Sequence, residues 1–230
     1  MVSGWIKPYV TRTFFASARL ASFVEKRSVK RATLRIVSMD KPTLLFVAAS
    51  SLSLYIPISR GQPRRLCGMP LDRRIPFLPL FVMPYLSLFL FFPAALILLY
   101  PTPFAREFFI ALFVVGILYA AVSPLVGCGA QRADAEGPGV LRWLVRFVYR
   151  LDGAANNDVF PSTHVYLSTI CGYYLISAFP SYALLTGVVA GLIAVSTIFI
   201  KQHNAMDIAG GVLWASTAIL AATFIAPLFT

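Results

Sequence analysis

Uncharged apolar stretches occupy positions 42–59, 75–105, 108–125, 159–200 and 208–230, and each is long enough to cross a hydrocarbon core of about 30 Å. The fourth stretch is of double length and carries Ala178-Phe-Pro-Ser181 near its middle. A Pro-Ser break between apolar segments reads as a tight helical hairpin. The chain is therefore expected to be all-α, a polytopic membrane protein with a bundle of six transmembrane helices at about 42–59, 76–99, 104–126, 160–178, 182–200 and 206–228. With 58% hydrophobic and 13% charged residues and a mean hydropathy of +0.76, it is too apolar for an ordinary soluble domain.

Positions 1–41 differ in kind, holding nine Lys or Arg against Glu25 and Asp40. We read them as a basic amino-terminal segment on the membrane surface, with an organellar transit peptide as the alternative, and 42–230 as the membrane domain. The net charge of +11 accompanies membrane spans, so anionic headgroups of the bilayer, and not nucleic acid, are the expected partner. Cys67, Cys128 and Cys171 are widely spaced, with no Cys-x-x-Cys, and no metal site through sulfur is expected. The long polar connection 127–158 is of a length that usually carries function. Within it Arg142, Arg146 and Arg150 recur every four residues among Leu141, Trp143, Leu144 and Phe147. That stripe fits an interfacial helix, or else a substrate-binding surface.

An ionisable side chain in a span costs several kcal/mol, so each one needs a reason. The two histidines of the chain, His164 and His203, fall at the start of the fourth span and between the fifth and sixth. Counting spans puts both on one membrane face. Asp207 follows His203 by four residues, a spacing that on a helix sets its carboxylate beside the imidazole and leaves the other ring nitrogen free. Pro161 suits the first turn of the fourth span, where the N–H groups around Ser162, Thr163 and His164 would face an anion.

Phe160-Pro-Ser-Thr-His164, and Ser196-Thr197 followed at fixed intervals by His203 and Asp207, resemble the type 2 phosphatidic acid phosphatase superfamily. The Ser-Thr start and the Lys201-Gln-His203 run are closer to its inositol phosphorylceramide synthase branch, related to the sphingomyelin synthases. The resemblance runs from the segment Asp72-Arg-Arg-Ile-Pro-Phe-Leu-Pro79 through the sixth span. It implies that His203 attacks phosphorus, Asp207 orients it and His164 protonates the leaving oxygen. Asp207 is the sole acid in the hydrophobic spans beyond Glu107 at the edge of the third, so no carboxylate cluster is available to hold a metal, and a reaction without metal or cofactor is expected. Thr197 stands where the phosphatase pattern has Arg, and the family's Lys-x6-Arg-Pro motif has no match. The candidate cations for phosphate are Lys201, then Arg132, then the cluster Arg64, Arg65, Arg73 and Arg74, with Ser162, Thr163 and Ser196 beside them. The function so implied is phosphoester transfer on a lipid phosphate or phospholipid, as a headgroup phosphotransferase. A lipid phosphatase releasing inorganic phosphate and a non-catalytic scaffold of the same family are the alternatives. Positive-inside counting over 26–41 and 60–74 favours a cytoplasmic amino terminus and a site facing outside or the lumen, where Cys67 and Cys128 could pair.

Overall fold

The computed structural model describes residues 39–59, 65–151 and 160–229. Positions 1–38 of the expected basic surface segment, and Arg64, lie outside them, while Lys41 at its end belongs to the first helix. The chain divides into two units, Met1–Met39 with Pro227–Thr230, and Asp40–Ala226; the second carries the candidate site.

The described residues form nine α-helices: α1 Lys41–Ser53, α2 Tyr55–Ser59, α3 Pro70–Arg74, α4 Val82–Leu99, α5 Ala105–Val126, α6 Val140–Leu151, α7 Thr163–Ala178, α8 Ala183–Phe199 and α9 Ala205–Ile225. Five segments are long and apolar enough to cross a membrane: Lys41–Ile58, Pro79–Leu99, Ala105–Val126, Pro180–Phe199 and Ala205–Phe229. Each matches an expected span. The helix at the remaining position, α7, has only 16 residues, because Pro161 lies in a bend ahead of the helix and not in its first turn, Ser162 is extended, and helical geometry begins at Thr163. The second span likewise starts at Pro79 and not at 76, since Pro76 and Pro79 hold the intervening chain out of the helix. The expected hairpin is present: α7 ends at Ala178 and a single 3₁₀ turn, Pro180–Tyr182, leads into α8.

Helix α7 lies in the middle of the bundle, packed against α4, α5, α8 and α9. Its buried residues, among them Val165, Tyr166, Ile170, Cys171 and Tyr174, cover most of its circumference, as a helix surrounded by others requires. On the outer helices the pattern inverts. Phe46, Leu90, Ile97, Leu184, Leu213 and Phe224 stand exposed, a surface that is stable against hydrocarbon and unstable against water. Two glycine contacts set how closely the helices approach. A Cβ on Gly211 would sit 2.7 Å from the Val165 side chain, and one on Gly210 would run into the Phe160 ring. The Ser123 hydroxyl of α5 donates to the Phe160 carbonyl at 2.7 Å, so the start of α7 is held between α5 and α9.

On one face of the bundle the loops are stitched together. Residues Arg65–Leu66 (β1) pair in parallel with Cys128–Gly129 (β2), the Cys67 N–H continues the ladder to the Gly129 carbonyl at 2.8 Å, and Cys67 and Cys128 form a disulfide. The Leu78 N–H reaches the Phe199 carbonyl at 2.9 Å, binding the entry of α4 to the exit of α8. The long connection between α5 and α7 contains β2 and α6.

Candidate functional site

The stitched face gathers the chemistry-bearing residues. Helix α8 closes with the Gln202 and His203 N–H groups both donating to the Thr197 carbonyl, at 2.9 and 3.2 Å, and with Lys201 in the left-handed region at φ 56°. A left-handed residue at a helix exit reverses the chain, and the fold keeps a lysine there in place of the usual glycine. The side chain accounts for it. The Lys201 ammonium donates to the carbonyls of Asp72 and Ile75, at 2.7 and 2.6 Å, capping the exit of α3. Partial burial draws this ammonium below the ordinary lysine range, and the Asp72 carboxylate opposes the shift.

Asp72 completes the latch. Its Oδ1 accepts from the Ala205 N–H, the first of α9, at 2.7 Å, and its Oδ2 from the Met69 N–H at 2.6 Å. The Asn204 amide donates to the Cys67 carbonyl at 2.7 Å. The four-residue turn 201–204 is therefore fastened to segment 67–75 through Lys201, Asn204 and the first residue of α9.

His203 sits in this turn and not on a helix. Asn204, at φ −92° and ψ 162°, is the N-cap of α9, so the expected helical i, i+4 pair becomes a turn residue facing a first-turn helix residue. The proximity survives. His203 Nδ1 lies 3.5 Å from Asp207 Oδ2, and that oxygen also accepts the Asn204 N–H at 2.9 Å. Asp207 thus lies in the first turn of α9, the helix end at which negative charge is favoured.

His164, the second residue of α7, is buried, with its ring stacked on Tyr85 at 3.8 Å between centroids and the Phe89 edge at 6.2 Å. Its imidazole and that of His203 lie within electrostatic reach of each other. Among the described residues its Nε2 has no hydrogen-bond partner, and neither has the buried Ser162 hydroxyl just ahead of it. Buried polar atoms of this kind are costly unless something else meets them. Thr163, half-buried, opens α7. Ser196 is buried one turn before the α8 exit, and its proton goes to the Ile193 carbonyl at 2.6 Å.

A cavity of about 530 Å³ opens in front of the turn, lined by His203, Lys201, Arg73, Arg132, Asp72 and Asn204 among others. Its charged lining has three cations against one carboxylate already engaged by two N–H groups, so it suits an anion. Arg132 is held by its Nη1 donating to the Tyr149 carbonyl at 2.9 Å and by its guanidinium resting over the Tyr149 ring at 4.8 Å. Tyr149 in turn donates its hydroxyl to the Ile200 carbonyl, beside the histidine turn. Burial pushes that hydroxyl up to about 12, which keeps it a donor at neutral pH. Arg73 is an exposed residue of the lining, while Arg74 lies outside it. A second cavity of about 290 Å³, almost wholly apolar, adjoins the first across Cys67, Gly68, Met69 and Asn204 and reaches Val126, Phe160, Met206 and Asp207. No group of three or more His, Cys, Asp or Glu side chains suited to a metal ion occurs among the described residues.

Asp72, Asn204 and Tyr85 are thus functional neighbours that the sequence reading did not single out. Asn204 had a local signal, an Asn three residues before Asp207, which is the pattern of a capped helix start.

Five apolar helices of membrane-crossing length, lipid-like outer faces and a polar site on one end define an integral, multi-pass membrane protein. No family model, curated protein or solved structure matches the chain.

Proposed function

We propose that this protein transfers a phosphate ester on a lipid through a phosphohistidine at His203, as a headgroup phosphotransferase of the type 2 phosphatidic acid phosphatase superfamily. The observation that carries the reading is the His203–Asp207 pair, 3.5 Å apart, on the wall of a cavity lined by Arg73, Arg132 and Lys201. Asp207 holds Nδ1 and leaves Nε2 as the attacking atom. The P–Nε2 bond forms as the P–O bond to the leaving group breaks, and His164 gives that oxygen its proton. An acceptor hydroxyl then surrenders its proton to His164 and attacks phosphorus, releasing His203. Charge on the equatorial phosphoryl oxygens is met by Arg73 and Arg132, by the one Lys201 hydrogen not given to a carbonyl, and by the first N–H groups of α7. The reaction needs no metal in this reading.

The 16-residue α7 serves as the sixth span, sheltered by its neighbours. The disulfide on the site face supports an extracytoplasmic or lumenal site, because disulfides persist in oxidising compartments.

Water as acceptor is the second reading. It is favoured by the exposure of Leu66, Pro70 and Arg73 in the cavity lining. Purified protein given phosphatidylinositol and ceramide is expected to form a new phosphosphingolipid. Release of inorganic phosphate from phosphatidic acid or a prenyl diphosphate, with no headgroup moved, would make it a lipid phosphatase. Inertness toward both substrate sets would leave a scaffold.

A further inference from the structure

Helix α6 presents a surface that the proposed reaction does not use. Its inner side, Leu141, Leu144, Val145, Val148 and Tyr149, packs into a cluster with Val82, Tyr85, Ala135 and Ile200. Its outer side carries Val140, Trp143, Phe147 and Leu151, at helical spacing and all exposed. The Trp143 and Phe147 rings are stacked at 5.8 Å, forming one flat apolar strip. The arginines of the helix do not all reach outward. Arg142 donates to the Glu136 carbonyl at 2.7 Å, and Arg146 to those of Ala135 and Gly137 at 2.7 and 3.1 Å, which clips the helix to the loop before it. Arg150, in the last turn, is exposed.

Depth decides what covers the strip. Helix α6 packs against Pro79–Phe81 and α4, where that chain enters its membrane-crossing segment. A strip held there meets the boundary between headgroups and acyl chains of the bilayer in which the protein sits. Tryptophan and phenylalanine are suited to that layer, and a helix with three arginines and no acid favours anionic over neutral headgroups. We infer that α6 is an interfacial helix, seated through Val140, Trp143, Phe147 and Leu151 on the anionic lipid surface of the site's own membrane face. Because Tyr149 on its inner side bonds the Ile200 carbonyl, that seat is continuous with the turn carrying His203.

The test needs no assay of turnover. Full-length protein with Trp5→Phe and Trp214→Phe, in nanodiscs of phosphatidylcholine with or without phosphatidylglycerol, leaves Trp143 as the reporter. Blue-shifted emission is expected, quenched more strongly by lipids brominated near the headgroup than by those brominated near the chain end. Adding Arg150→Gln is expected to abolish any further blue shift gained from phosphatidylglycerol. Emission of a water-exposed tryptophan without lipid quenching would overturn the inference. Blue-shifted but unquenched emission, with two copies present per disc, would overturn it in favour of a dimer contact.

Discussion

A phosphohistidine mechanism makes unequal demands on the three residues of the candidate site. His203→Ala removes the attacking nitrogen and is expected to cut turnover by at least ~10⁴-fold. Asp207→Asn keeps an acceptor for the Asn204 N–H but loses the charge beside Nδ1, with a fall of roughly 10²- to 10⁴-fold. His164→Ala should slow a lipid ester about 10²-fold or more and spare an activated phenolic ester, whose leaving group needs no proton. Equal losses on both esters would remove the acid role. Unchanged turnover in a folded His203→Ala protein would end the proposal. Lys201 differs, because two of its three ammonium hydrogens are spent on the Asp72 and Ile75 carbonyls. Lys201→Met should therefore lower stability by about 2 kcal/mol or more, read as a drop in Tm in detergent. Arg should rescue poorly, since a planar fork does not reproduce the reach of an ammonium to two converging carbonyls. A Tm equal to wild type with activity alone impaired would return Lys201 to a purely phosphate-binding role.

At the scale of elements, the glycine pair of α9 sets how near the start of α7 comes to the histidine turn. Gly211→Val would press a branched side chain onto Val165, where even a Cβ lies 2.7 Å away, and overpacking of this kind costs about 1–3 kcal/mol. The cost should fall on function as well, by moving His164 away from His203. We expect Gly211→Val to lose more activity than Gly187→Val, whose added Cβ has nothing within 4 Å. Equal activity in the two variants would separate helix spacing from the site. This contact also marks how far the sequence could be read. Five of the span positions and the hairpin at 178–182 followed from apolar length and proline chemistry, which are local. The His203–Asp207 pair was legible because four residues keep two side chains close in a helix or in a capped turn. Its backbone was not, because the N-cap at Asn204 takes its geometry from Asp72, which bonds Ala205 from 133 residues away. The same distance hid the fate of Lys201. A short-range rule gave it to the phosphate, and a long-range latch claims most of its donors.

For the whole molecule, orientation is the quantity on which the proposed lumenal or extracytoplasmic chemistry depends. Two arguments of different origin bear on it. Basic residues before the first span favour a cytoplasmic amino terminus, by the rule that loops rich in Lys and Arg stay inside. The Cys67–Cys128 disulfide joins two loops of the opposite end, where an oxidising compartment would preserve it. It closes a loop across 61 residues, worth about 4 kcal/mol for a chain unfolding in water. In a bilayer the intervening helices stay inserted, so the loss on Cys67→Ser with Cys128→Ser should be smaller and concentrated in the 67–75 and 201–204 latch. The measurement uses sealed vesicles of known sidedness. A membrane-impermeant maleimide carrying a polymer tag should leave the protein unshifted on a gel when added to the cytoplasmic side, with or without an impermeant reductant. After reductant and tag are given access to the other side, two tags should appear, at Cys67 and Cys128, while the buried Cys171 stays unlabelled until the protein is unfolded. Labelling of Cys67 or Cys128 from the cytoplasmic side without reductant would place the site in the reducing compartment and reverse the orientation.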